Sequence, residues 1–245
     1  MVRSNCKALK LRSRLFVMLA LFVAGLMWST HAYAADRYWV GAGAGDPEDW
    51  DDNANWSDAS GGAGGFSYPI AGDTATFNGA GANGNKNITL DAAVTVDAIT
   101  NTGGYTGTFT TSNNTITLSG SFQFDGGILT AGSSTITVGG NWDTTSIGTF
   151  TPGTSNVRMT AAGAASLNTK NWQAFYDLTI VSGTITAGGP PRFIVDNDLT
   201  VQDNATFIIN NSFSYVNNNL ILGGSNSTLT LNSNFFYSGG NNIST

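Results

Sequence analysis

This 245-residue chain has one cysteine and one histidine, Cys6 and His31, and both fall within its first 34 residues. Everything after Ala34 has neither thiol nor imidazole. That excludes disulfides, thiolate metal sites, Ser-His-Asp and Cys-His catalysis and most transition-metal centres, and no cofactor is expected. Cys6 precedes the apolar stretch of the N-terminus, so it is not a lipid-modified cysteine following one. Proline is scarce, at 5 residues, and charged residues make up only 11%. The apolar run from Leu15 to Trp28 is 14 residues long, short of the roughly 20 that a membrane-spanning helix needs.

Basic residues are scarce as well, and half of them crowd the N-terminus. Arg3, Lys7, Lys10, Arg12 and Arg14 precede the apolar run, and Ala32-Tyr33-Ala34 follows it. This order predicts a secretion signal over residues 1–34, cleaved after Ala34, the alternative being an uncleaved N-terminal anchor. Past it, Arg37, Lys86, Arg158, Lys170 and Arg192 stand against all 16 acids, a net charge of −11. Such a chain is a poor ligand for nucleic acid or an anionic membrane.

What the sequence has instead is periodicity. Ile116-Thr117-Leu118 is followed by Ile136-Thr137-Val138, Val157-Arg158-Met159, Leu178-Thr179-Ile180, Leu199-Thr200-Val201 and Leu220-Ile221-Leu222, with starts 20 or 21 residues apart. The triplets mostly read apolar, polar, apolar, which is strand periodicity. Between them lie turn formers such as Ser119-Gly120, Gly139-Gly140-Asn141 and Asn217-Asn218-Asn219. Recurrence at a fixed period predicts a solenoid whose coils bury their apolar face against their neighbours. With two or three short strands per coil, each paired to its equivalent in the next, the expected fold is all-β: a parallel β-helix, or β-solenoid, with coils of about 21 residues.

A second series, Leu129, Phe150, Trp172, Phe193, Phe213 or Ser214, and Phe235, recurs at nearly the same spacing. A repeated aromatic in a solenoid predicts an internal stack; the alternative is an exposed ladder for sugar stacking. Two places should be irregular: Ala161-Ala162-Gly163-Ala164-Ala165, where small residues replace a strand, and Pro190-Pro191, which should mark a turn between faces. Val94, 22 residues before Ile116, should open the stack. The expected division is signal over 1–34, N-terminal capping segment over 35–85 and β-solenoid repeats over 86–245, with Trp39, Trp50 and Trp56 in the cap. Leu229 to Tyr237 should form the last strands. With no covering sequence after them, the expectation is a longer parent chain or end-to-end self-association.

The capping segment carries a resemblance. Arg37-Tyr38-Trp39-Val40-Gly41, Trp50, Asn53-Ala54-Asn55-Trp56-Ser57, Gly61-Gly62-Ala63-Gly64-Gly65, Pro69 and Asp73-Thr74-Ala75-Thr76-Phe77 resemble the start of many large bacterial secreted repeat proteins. It covers about 40 residues in detail and the rest in style. The resemblance implies a β-helical surface protein of the autotransporter-passenger or filamentous-haemagglutinin kind, adhesin-like, at the cell surface or outside the cell, with a surface glycan or cell-surface ligand as partner. It brings no catalytic residues. The chain shows no recognisable translocator barrel, sorting signal or Asn-Pro-Asn-Leu motif, which leaves the export route past the inner membrane open.

Three groups of residues could carry chemistry. Asp46, Glu48, Asp49, Asp51 and Asp52 crowd one loop, and Asp49-x-Asp51-x-Asn53 imitates the opening of an EF-hand calcium loop, but Ala54 and Ser60 stand where that loop needs Gly and Glu. The plain reading is a solvated acidic loop, the alternative weak calcium binding. Asp196 and Asp198, with Arg192 nearby, could serve a β-helical carbohydrate-active enzyme, since glycoside hydrolysis needs two carboxyls about 5–10 Å apart. The plain reading makes Asp196-Asn197-Asp198 a polar turn. Thr115/Thr117 and Thr135/Thr137 suggest a flat ice-binding array, which Asn156/Arg158 interrupts after two rungs. The expectation is therefore a non-enzymatic secreted or cell-surface module, with a carbohydrate-active enzyme or carbohydrate-binding module as the alternative.

Overall fold

A computed structural model describes residues 34–45, 48–232, 234–239 and 243–244. Residues 1–33, nearly all of the expected signal, lie outside the described residues, as does Asp46. The chain is an all-β solenoid of about 8 turns, its parallel coils about 21 residues apart. The only helical turn among the described residues is the 3-10 segment Asn53–Asn55, whose N-terminus Asp52 caps, its Oδ1 accepting from the Ala54 N–H at 2.9 Å.

Each coil contributes three short strands, and equivalent strands stack into three faces. The first face runs through Val94–Val96, Ile116–Leu118, Thr135–Val138, Leu199–Val201 and Leu220–Leu222. Here the triplet starts Ile116, Ile136, Val157, Leu178, Leu199 and Leu220 are successive register partners, one column down the molecule. The apolar ends of the triplets point inward, and Leu199 and Val201 are fully buried. The central residues Thr95, Thr117, Thr137, Arg158, Thr179 and Thr200 form the outward column. Arg158 breaks the threonine array at its expected rung.

The second face starts earlier than Val94. Asp36–Trp39 pairs in parallel with Thr74–Phe77, which pairs with Ala98–Asn101 and so on through Phe122–Phe124 and Trp142–Thr144. At its outer edge Trp56–Ser57 runs antiparallel to Asp36–Trp39, covering backbone groups that would otherwise be open. The two faces merge where Asn156–Thr169 and Asp177–Gly188 run unbroken from one to the other, paired along most of their length. The small-residue run Ala161 to Ala165 is thus no gap: it is the middle of the longest strand. Small side chains let that strand bend at the corner, where the register shifts between Met159 and Ala164. Gly183 shows how tight this corner is, since a Cβ there would lie 2.4 Å from the carbonyl oxygens of Ala161 and Gly163.

The third face is split. Glu48–Asp49, Ile88–Thr89, Thr108–Thr110, Ile128–Thr130 and Thr149–Thr151 form one sheet. Ala174–Phe175, Arg192–Val195, Phe213–Val216 and Phe235–Ser238 form another. Pro190 and Pro191 sit in the bend leading to Arg192–Val195. Between the two sheets stands the turn Lys170-Asn171-Trp172-Gln173, closed by the Gln173 N–H donating to the Lys170 carbonyl at 3.1 Å.

Aromatic rings fill the interior. Trp39, Trp50, Trp56 and Phe77 pack edge to face or tilted with centroids 4.9–6.3 Å apart. Phe122 and Trp142 stack at 4.5 Å. Such pairs add about 0.5–1.5 kcal/mol each to simple burial. At the corners, Asn and Asp side chains tie each coil to the next: the amides of Thr106, Thr108, Ser133 and Ser166 donate to Oδ1 of Asn85, Asn87, Asn113 and Asn141, all at 2.8 Å.

Candidate functional site

The second aromatic series does not form the expected internal stack. Leu129, Phe150 and Phe193 are buried, but Trp172, Phe213 and Phe235 are exposed, Trp172 at 65% of its surface. The reason is register. Phe193 pairs with Ser214 and Arg192 with Phe213, so Ser214 takes the inward place and Phe213 the outward one; Phe235 follows Phe213. Trp172 precedes the sheet and sits in the turn, and the inward ring of its coil is Phe175.

The outward side of this last sheet therefore carries Arg192, Ile194, Phe213, Tyr215, Phe235 and Tyr237, with Trp172 beside them. The Arg192 guanidinium lies over the Trp172 ring, 3.4 Å from its centroid, and 5.5 Å from that of Phe213. Phe235 packs on Phe213 and Tyr215 at 6.5 and 5.8 Å. Trp172, Arg192, Ile194, Asp196, Tyr215 and Asn217 line a groove of about 390 Å³. On the other side of Trp172, Thr149, Phe150, Lys170, Asn171 and Gln173 line a second depression of about 190 Å³.

The Asp196-Asn197-Asp198 segment is a polar turn. Asp177 Oδ1 accepts from the Asp198 N–H and Asn197 Nδ2 at 3.0 and 2.8 Å. One coil on, Asp198 Oδ1 accepts from the Asn219 N–H, Asn219 Nδ2 and Asn218 Nδ2 at 3.1, 3.0 and 2.8 Å. Asp198 is thus occupied in joining coils. Asp196 Oδ1 accepts from Asn217 Nδ2 at 3.1 Å, and both residues face the groove.

The acidic loop is dispersed. Glu48 is buried and joined to Lys86 at 2.7 Å, Asp52 caps the 3-10 turn, and Asp49 is exposed. Among the described residues no three acidic, histidine or cysteine side chains gather as a metal site. Asp51 lies at a small cavity of about 180 Å³ shared with Trp50, Tyr68, Ile70 and Asp91. Its carboxyl is pushed above the usual aspartate range, first by partial desolvation, then by the charge of Asp91 and a hydrogen bond with it, then by Asp49.

Arg192 and Asp196 are legible in the sequence as candidates for carbohydrate chemistry and Trp172 as a candidate stacking ring, whereas their meeting in one groove with Tyr215 and Asn217 is not. The available signal was Trp172 itself, a large aromatic directly after Lys170-Asn171 in a stretch without strand alternation. No family model, no curated protein and no solved structure matches the chain.

Proposed function

We propose that this protein is a non-enzymatic β-solenoid module exported to the cell surface or beyond, adhesin-like, which makes contact through the outward side of its last sheet. The observation that carries this reading is the strip of exposed rings there: Trp172, Phe213, Phe235 and Tyr237 are each 40–65% exposed. Large exposed aromatic groups gathered on one face mark an interaction surface. The order of basic, apolar and small residues in 1–34 supports export, and a surface of Thr, Asn and Asp suits a rod that works outside the cell. The enzyme alternative draws little support from Asp198, whose oxygen is committed to Asn218 and Asn219. The carbohydrate-binding alternative draws support from the groove.

Protease applied to intact cells tests the reading. The chain should be cleaved while cytoplasmic proteins survive, and N-terminal sequencing of the exported material should begin at Ala35. Recovery of an intact chain starting at Met1 with the cytosol would overturn it.

A further inference from the structure

Trp172 is held in a conformation that its side chain opposes. Its φ is +66°, the left-handed region, and it occupies the third position of a four-residue turn whose second residue, Asn171, has no positive φ. That is the pattern of a type II turn, where Gly or Asn is the ordinary occupant. A bulky residue there is strained by about 1–3 kcal/mol. The strain is not offset by burial, because the ring is 65% exposed. Among the described residues the ring's return is its stacking with the Arg192 guanidinium, an exposed contact worth about 0.5–1 kcal/mol, and the rest of its surface is open to a ligand.

Arg192 gives a second, independent indication. Lys86 pairs with Glu48, Arg37 Nε donates to Ser67, and Lys170 Nζ donates to the carbonyls of Ile147 and Gly148. Arg192 and Arg158 have no ion pair or hydrogen bond among the described residues, and of the two it is Arg192 that lies at the groove. Its guanidinium is positioned by stacking alone, on Trp172 and beside Phe213, leaving its N–H donors available at the groove.

We propose that Trp172 and its two flanking depressions bind a linear, neutral glycan. A sugar ring is amphiphilic: its C–H face packs on an aromatic ring while its rim of hydroxyls needs donors and acceptors. Both halves are present. Tyr215 and the Trp172 surface that Arg192 does not cover supply the aromatic contacts, Arg192 donates, Asp196 accepts, and Asn217 does both. The groove volume of about 390 Å³ falls within the roughly 300–1,000 Å³ of small-ligand sites. Because Trp172 lines both depressions, a chain crossing its ring occupies one on each side, which selects an oligosaccharide over a single sugar. Asp196 in the groove and the net acidity of the protein select a neutral glycan over a uronate polymer.

The proposal rests on the surface-module reading and names the ligand class of that same surface, but the two fail separately: protease shaving decides the first and saccharide titration the second. Full-length chain is titrated with hexaoses of β-1,4-glucose, β-1,4-N-acetylglucosamine, β-1,3-glucose and α-1,4-glucose, and with hexagalacturonate, following tryptophan emission. Trp39, Trp50, Trp56 and Trp142 are buried and the titrated chain carries Trp28→Phe, so quenching reports on Trp172. At least one neutral hexaose should quench saturably. Trp172→Gly, which suits the turn, should keep or raise the thermal midpoint while weakening that hexaose about tenfold or more, measured by titration calorimetry on both proteins because the variant lacks the reporting ring. Tyr215→Ser and Arg192→Gln, which leave the turn untouched, should weaken it too. No binding by any neutral hexaose, tighter binding of hexagalacturonate, or unchanged affinity in Trp172→Gly would each overturn the proposal.

Discussion

Ser214 occupies, one coil later, the inward slot that Phe193 fills. Phe193 is buried and packs edge to face on Phe207 at 5.5 Å, whereas Ser214 is equally buried and its hydroxyl has no hydrogen-bond partner. The two residues share a register and differ in everything the interior rewards.

A buried hydroxyl without a partner is destabilising by about 1–3 kcal/mol relative to a state in which it is solvated. Ser214→Ala removes the hydroxyl without adding bulk, and should stabilise the protein by about 1 kcal/mol in chemical denaturation. A loss of stability would mean that the hydroxyl is satisfied.

The same slot explains where the sequence could be read and where it could not. The column from Ile116 to Leu220 was legible because apolar residues flank a polar one in most triplets, so period and facing are given together. In Phe213-Ser214 and Phe235-Phe236 the outward residue is as apolar as the inward one or more so. Composition then points to the wrong side, and a one-residue slip turns every side chain over. The groove was hidden for a second reason. A constant period presumes equivalent coils, but the third face breaks at Lys170–Gln173, and that turn takes Trp172 out of the column assigned to it.

In Leu199–Val201 the facing is unambiguous, with Leu199 and Val201 fully buried and Thr200 half-buried on the outward column. Leu199→Asp places an unpaired charge in the interior and should cost about 4 kcal/mol or prevent folding. Thr200→Ser should change stability by about 0.5 kcal/mol. Urea unfolding of the two variants would contradict this register if the losses were equal.

Glu48 and Lys86 join the first coils. Lys86 Nζ donates to Glu48 Oε1 at 2.7 Å and to the Gly43 carbonyl at 2.9 Å, while Asn55 Nδ2 reaches Glu48 Oε2 at 3.4 Å. Glu48 is buried, so removing its cation leaves a desolvated carboxylate. Lys86→Met should cost about 3 kcal/mol, and Glu48→Gln, which leaves no buried charge, about 1 kcal/mol. The double variant should lose less than the two single losses added together. Additive losses in a double-mutant cycle would show that the pair is not coupled.

Asp51 makes stability depend on pH in the direction opposite to a salt-bridged carboxylate. Partial desolvation at the small cavity, the neighbouring Asp91 carboxylate and Asp49 raise its folded-state pKa above the ordinary range, so the folded chain binds this proton more tightly than the unfolded chain does. The resulting stabilisation is complete below the ordinary aspartate range and is lost as pH rises through the raised value. At neutral pH two or three carboxylates repel one another around the cavity, and Asp51→Asn removes one of them. Because Asp51 is largely exposed, screening limits the gain to about 0.5 kcal/mol or less. Thermal midpoints of the native and Asp51→Asn proteins should differ near about pH 7, with the variant higher, and converge near about pH 3. In an Asp91→Asn background the difference should shrink, since that variant removes the largest charge acting on Asp51. A variant that is less stable at neutral pH, or a difference that does not change with pH, would show that Asp51 is not strained by its neighbours.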